Sequence, residues 1–125
     1  MKSGLELYDS RVSRIEIADG LAVVYFSHGY IRKPGRGGGT GWSQELRLIF
    51  SAATISEPLA PLPNTIADGY LEVGGIRHEI IPLPFRRKVG ARLYLAFFDG
   101  TRIEIAGEKP FVELLGTPIF LEAFP

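Results

Sequence analysis

The chain has no cysteine in its 125 residues. That excludes disulfide scaffolds, zinc–thiolate centres and thiol nucleophiles, and it fits a reducing compartment. There is no surplus of either charge: Lys plus Arg and Asp plus Glu number 14 each, for a formal net charge of zero. A dedicated nucleic-acid binder draws most of its affinity from phosphate neutralisation and carries a basic excess for it, so no nucleic-acid partner is expected. Long apolar runs are missing too. The longest uncharged stretch, "LAVVYFSHGYI" from Leu21 to Ile31, is too short to span a bilayer. The opening "MKSGLELYDS" has no apolar run of signal-peptide length. A soluble, cytoplasmic protein that does not engage membranes is expected. Finally, no segment keeps apolar residues at helical spacing over the length a stable helix needs.

What is present is alternation and punctuation. Hydrophobic residues make up 46% and charged residues 22%, ordinary globular composition for one domain, residues 1–125, with its own core. Fifteen glycines and nine prolines separate short alternating runs. "RIEI" and "LAVVYFS" flank Asp19-Gly20, "YLEV" and "IRHEI" flank Gly74-Gly75, and "RLYLAFF" and "TRIEI" flank Asp99-Gly100. Each pair predicts a hairpin, because a tight turn with positive φ selects Asp-Gly or Gly-Gly. In "WSQELRLIFSAA", Trp42, Leu46, Leu48 and Phe50 share one face of a long strand, with Glu45 and Arg47 opposite. "SEPLAPLPNT" carries three prolines and predicts an extended loop, since proline cannot donate to a ladder. Proline in "IPLP" ends the strand before it. "FVELLGTPIFLEAF" predicts one strand broken at Gly116-Thr117-Pro118, or two short ones. The fold class predicted is all-β, an antiparallel sandwich or flattened barrel of about eight strands joined mostly by hairpins.

Two runs, "LAVVYF" and "LYLAFF", are apolar on both faces. Such strands are central in a layered core or are covered by a partner, so a homodimer or other homo-oligomer is plausible. "RIEIADG" and "RIEIAGE" echo each other over five residues; shared alternation explains this without a duplicated half.

The motif that first suggests chemistry is "KPGRGGGTGWSQ", with five glycines between Gly35 and Gly41. It fails as a phosphate loop. No Gly-Lys pair occurs, and the i+5 positions from Gly35, Gly37 and Gly39 are Thr40, Trp42 and Gln44. The residues that follow alternate as a strand, whereas both phosphate motifs lead into a helix N-terminus. A mobile hairpin tip is expected instead. His28 and His78 stand fifty residues apart in strands, without a third ligand or a partnering base nearby in sequence. No Gly-x-Ser-x-Gly elbow occurs. Glu45, Glu72, Glu79 and Glu104 occupy alternating positions that read as solvated faces. No catalytic, cofactor-binding or metal-ligating residue is assigned, and no cofactor is expected.

Basic residues are concentrated by position. Arg32, Lys33 and Arg36 fall in or beside the glycine loop, and Arg86, Arg87 and Lys88 form a second loop. If the two loops share one end of the fold, they form a positive rim beside Trp42 that suits an acidic partner or polyanion. These seven residues are the candidate partner-binding set. "RRKVG" resembles the arginine-rich opening of cyclic-dinucleotide-binding PilZ barrels, but the Asp/Asn-x-Ser-x-x-Gly run that completes that motif is missing.

The segment "LELYDSRVSRIEI", Leu5 to Ile17, resembles the Leu-His-Asp-Ser start of several families of small uncharacterised bacterial β-rich proteins. Tyr8 stands in the histidine position, with Asp9 and Ser10 kept. Some of those families are assigned as immunity proteins beside contact-dependent toxins. The resemblance implies a bacterial origin and a non-enzymatic binding role. Read locally, Asp9-Ser10 would form an Asx or ST turn that starts the sheet. The function expected is therefore a non-enzymatic protein-interaction module, immunity-like, acting through the basic rim on a protein partner. The second reading is a small-ligand-binding or enzymatic β-barrel with His28 or His78 in a pocket.

Overall fold

The turns predicted from sequence set the register of the sheet. In the computed structural model, which describes residues 3–56 and 60–125, strands β1 (Gly4–Ala18) and β2 (Leu21–Lys33) are joined through Asp19 and Gly20, at φ 54° and 78°. Strands β4 (Asn64–Val73) and β5 (Ile76–His78) are joined through Gly74 and Gly75, at φ 58° and 79°. Both turns carry the two consecutive positive φ values that a type I′ turn requires. The third turn is built differently. Between β7 (Gly90–Phe97) and β8 (Arg102–Leu114) only Gly100 is left-handed, at φ 88°. Phe98, Asp99 and Gly100 form a three-residue loop closed by the Phe97 N–H donating to the Thr101 carbonyl at 2.8 Å. The Asp99 carboxylate accepts from the Thr101 N–H at 2.9 Å and from its hydroxyl at 2.5 Å. Aspartate here serves as a side-chain cap rather than as a positive-φ residue.

Strand β3 (Thr40–Ile55) is the long strand expected, with Leu46, Leu48 and Phe50 fully buried and Trp42 packed half-exposed at the edge of the core. The run "IRHEI" is not one strand. It divides at Glu79 into β5, paired to β4, and β6 (Ile80–Pro82), paired to Gly4–Glu6 of β1. The division lets one short segment leave one strand for another. At the C-terminal end, "TRIEI" and "FVELL" form a single strand, β8, which passes through a left-handed Lys109 at φ 51°. Beyond Gly116, also left-handed, the chain returns as β9 (Ile119–Ala123). Glu57, Pro58 and Leu59 of the expected proline-rich loop lie outside the described residues.

The described strands form one antiparallel sheet in which six close into a barrel in the order β1, β2, β3, β8, β7, β4. Closure is made by Arg11 opposite Thr65 and Val12 opposite Asn64. β5, β6 and β9 are additions at the barrel's margins, with β9 running beside the first residues of β3, beyond the point where β8 leaves it.

Closure needs strands that bend, and β1 bends where Asp9 is left-handed, at φ 69°. Buried positions run Leu5, Leu7 before this bulge and Ser10, Val12 after it. Ser10 does not begin the sheet, as a turn would. It lies inside β1, with its hydroxyl accepting from the Tyr30 N–H at 2.9 Å and donating to the Glu6 carbonyl at 2.6 Å. One side chain thus bridges two backbone groups, on the register partners Glu6 and Tyr30, beside the bulge. β2 shifts register beside it, between Phe26 and Gly29. Inside the barrel, Val24, Phe26, Leu46, Leu48, Phe50, Ile66, Leu71, Leu93, Leu95 and Ile105 are fully buried, each contributing about 1.5–3 kcal/mol by leaving water.

On the two-faced runs the outer tyrosines, Tyr25 and Tyr94, are covered by long charged or aromatic neighbours, while Leu21 and Phe98 stay exposed. Arg14, Tyr25, Arg47 and Glu113 stand directly opposite one another across β1, β2, β3 and β8. The Arg14 guanidinium lies 3.9 Å from the Tyr25 ring centroid, and Arg47 donates to both Glu113 oxygens at 3.0 and 3.1 Å. On β7, Tyr94 packs against Tyr70, which in turn lies under Arg77. The aliphatic stems and guanidinium planes shield these rings while their charges stay in water.

Candidate functional site

The glycine loop is the tip of the β2–β3 hairpin, and it is tied down. The Gly38 N–H donates to the Phe124 carbonyl at 3.2 Å, and the Phe124 N–H donates to the Gly39 carbonyl at 2.8 Å. A Cβ on Gly38 would stand 2.5 Å from the Phe124 Cβ, and one on Gly37 would stand 3.1 Å from the Pro125 carbonyl carbon. The glycines are there because another segment of the same backbone approaches too closely for side chains.

The first basic triplet is largely engaged in this arrangement. The Arg32 Nε donates to Glu6 at 2.9 Å, which holds the guanidinium's pKa above its ordinary value, and its plane lies 4.7 Å over Phe124. The Lys33 ammonium lies 4.5 Å over the ring of Trp42, which meets Phe120 of β9 edge-on at 5.3 Å. Arg36 is exposed in the loop. Beside these residues, Ser3, Gly4, Arg32, Lys33, Ile80 and Pro82 line a groove of about 450 Å³.

The second triplet is held by another strand. After β6 the chain crosses to β8, where Arg86 stands opposite Phe111. The Val112 N–H donates to the Phe85 carbonyl at 3.0 Å, the Arg87 N–H to the Pro110 carbonyl at 3.0 Å, and the Lys109 N–H to the Val89 carbonyl at 3.0 Å. Phe85 is buried, while Arg86, Arg87, Lys88 and Val89 are exposed. The Arg86 guanidinium lies 4.3 Å over Phe111 and that of Arg87 4.6 Å over Phe85. Lys109, which the sequence reading passed over, joins this group from β8. Its only sequence signal is a lysine before a proline inside an otherwise alternating strand.

The two triplets do not meet around Trp42. Arg32 stands opposite Gly41, while the strand position that holds Arg86 stands opposite Ile49. Those two positions on β3 are about 26 Å of strand apart at the usual rise per residue. Trp42 belongs to the first group.

The histidines are separate as well. His28 sits at the β2 register shift, exposed, with Nδ1 3.2 Å from the Ser27 hydroxyl. It shares a depression of about 310 Å³ with Asp9, Tyr30, Ser43 and Glu122. There the Tyr30 hydroxyl donates to Glu122 at 2.8 Å, and its pKa is pushed up to about 12, by desolvation first and by that bond second. His78 lies on β5 beside Asp68, Arg77 and Glu79. Among the described residues, no group of three His, Asp or Glu is placed to hold a metal ion. No described helix is long and apolar enough to cross a membrane.

The chain matches no family model, no curated protein and no solved structure. The chemistry of its own surface is therefore the guide.

Charge pairing separates the cations. Arg14, Arg32, Arg47, Arg77 and Arg92 each form an ion pair with a glutamate. Arg11, Lys33, Arg36, Arg86, Arg87, Lys88, Arg102 and Lys109 have no ion-pair partner among the described residues, and of these Arg86, Arg87, Lys88 and Lys109 lie on adjoining, mutually hydrogen-bonded segments.

Proposed function

We propose that the protein is a non-enzymatic protein-interaction module, immunity-like, whose contact face is the basic segment Arg86–Lys88. The observation that carries this reading is the clustering of unpaired cations: Arg86, Arg87 and Lys88 follow one another on one exposed segment without described acid partners, in a chain whose formal net charge is zero. Exposed arginines resting on aromatic rings are the side chains that most often anchor protein partners. The first triplet, with Trp42, supports the fold of the glycine loop and supplies at most a flanking contact through Arg36. The resemblance of Leu5–Ile17 to immunity-protein starts supports the same class of function. The small-ligand reading has less to stand on, because His28 and His78 line separate shallow depressions.

The test is cross-linking in the cells that express the protein, with mass spectrometry, comparing wild type with the double reversal Arg86→Glu/Arg87→Glu. A specific partner captured by wild type and depleted about tenfold in the variant is expected, since reversing contact charges on both arginines removes attraction and adds repulsion. Equal capture by the two proteins refutes the assignment of this face.

A further inference from the structure

We infer that the face formed by Arg86, Arg87, Lys88 and Lys109 recognises a short acidic segment of the partner protein through its carboxylates. This rests on the interaction reading above and adds the chemistry of what is bound.

Arg86 lies on Phe111, and Arg87 lies on Phe85 with one Nη donating to the Arg86 carbonyl at 3.1 Å. A guanidinium held over a ring has part of its hydration already displaced while its N–H donors remain available to a ligand. Its side-chain entropy is also reduced before a ligand arrives. Those donors form a fork that matches a carboxylate two oxygens at a time. Lys88 follows directly on the same segment, and Lys109 is pinned beside it by its bond to Val89. Four cations therefore stand on adjoining, backbone-bonded stretches of chain.

The surroundings select the class of anion. Glu108 precedes Lys109, and Glu113 lies two residues beyond Phe111, already paired with Arg47. Glu108, in no ion pair among the described residues, sets a carboxylate at one end of this stretch of β8, while Glu113 at the other end is neutralised by Arg47. A continuous phosphate backbone would run from the patch past Glu108, and the net charge of zero supplies no wider field to hold it. A segment carrying two or three acidic side chains is short enough to avoid Glu108. Phe111 is partly buried and Val89 is 50% exposed, and both offer apolar contact to residues between the acids.

The experiment is fluorescence anisotropy with the whole protein and a labelled octapeptide of alternating glutamate and valine. A lysine–valine octapeptide and an eight-nucleotide single-stranded DNA serve as comparisons. Saturable binding of the glutamate peptide is expected, weakened about tenfold by Arg86→Glu/Arg87→Glu and further by added salt. Lys109→Ala should weaken it about threefold. Should the double variant fail to fold, the single exposed-site change Lys88→Glu provides the same comparison. Absence of glutamate-peptide binding, equal binding to the reversed variant, or tighter binding of the DNA each overturns the inference. If partner capture in cells still depends on Arg86 and Arg87 while the peptide does not bind, the acidic-segment chemistry falls and the interaction reading stands.

Discussion

Replacing Gly39 with alanine tests whether the glycine loop is a free tip or part of the framework. The comparison is Gly20→Ala, at a glycine with nearly the same backbone: φ is +82° at Gly39 and +78° at Gly20. Placing an L-residue in the left-handed region costs about 1–2 kcal/mol, and both variants carry that cost. Their surroundings differ. A Cβ on Gly20 would meet nothing within 4 Å, whereas one on Gly39 would stand 2.2 Å from the Lys33 carbonyl oxygen. That neighbour is strand backbone and cannot rotate aside, so the loop must move by about 1 Å to restore an ordinary contact. The movement draws Gly39 away from the Phe124 N–H and Gly38 away from the Phe124 carbonyl. Each such bond is worth about 1 kcal/mol net. The Gly39→Ala loss is then about 3–4 kcal/mol, against about 1–2 for Gly20→Ala. For a chain of this size, 1 kcal/mol moves the melting temperature by about 4 °C. Thermal unfolding followed by circular dichroism should show a fall of about 12–16 °C for Gly39→Ala and about 4–8 °C for Gly20→Ala. Hydrogen exchange at the Phe124 amide should accelerate in the first variant only. Equal losses in the two variants, or an unchanged Phe124 amide, would refute the reasoning and return the loop to a mobile tip.

Ser10→Ala leaves the Tyr30 N–H and the Glu6 carbonyl without the hydroxyl that joins them, and a loss of about 1–3 kcal/mol in urea unfolding is expected. Phe26→Ala empties the middle of the barrel and should cost about 3–5 kcal/mol, measured the same way with the denaturant slope unchanged. The Asp99 carboxyl is held below its ordinary pKa, first by the Thr101 hydroxyl and then by the Thr101 N–H. Its contribution to the turn is therefore present above the ordinary carboxylate range and is lost as pH falls through the lowered value. NMR titration should find that lowered midpoint, and Thr101→Ala should bring it back upward. Tyr30 has the opposite sign. Its stabilising neutral form persists below pH 10 and is lost as pH rises towards about 12. Absorbance titration of the tyrosines should show that late step, and Glu122→Gln should lower its midpoint without restoring the ordinary value, because desolvation is the larger cause.

Local chemistry made much of the fold legible in sequence. Asp19-Gly20 and Gly74-Gly75 could be read because only residues tolerant of positive φ suit such turns, and the alternation of Leu46, Leu48 and Phe50 marks a buried face whatever lies across from it. Asp99-Gly100 has the same spelling as Asp19-Gly20 but a different turn, since its hydrogen bonds come from Thr101. The division of "IRHEI" and the bulge at Asp9 have no local signal. Both are imposed by the need of β1 to reach β4 and β6 on one edge while staying paired to β2 on the other.

The candidate site divides the same way. Composition alone disfavours thiol, zinc–thiolate and nucleic-acid chemistry, and spacing alone removes the phosphate-loop reading of "KPGRGGGTGWSQ", because those properties belong to residue types and intervals. Which cations are spent on ion pairs is a property of register across strands distant in sequence. It took the folded chain to place Arg32 against Glu6 and to leave Arg86, Arg87 and Lys88 beside Lys109. The glycines of the loop are likewise explained by a segment some eighty residues away, since the contact they permit, with Phe124, is made only when the barrel closes.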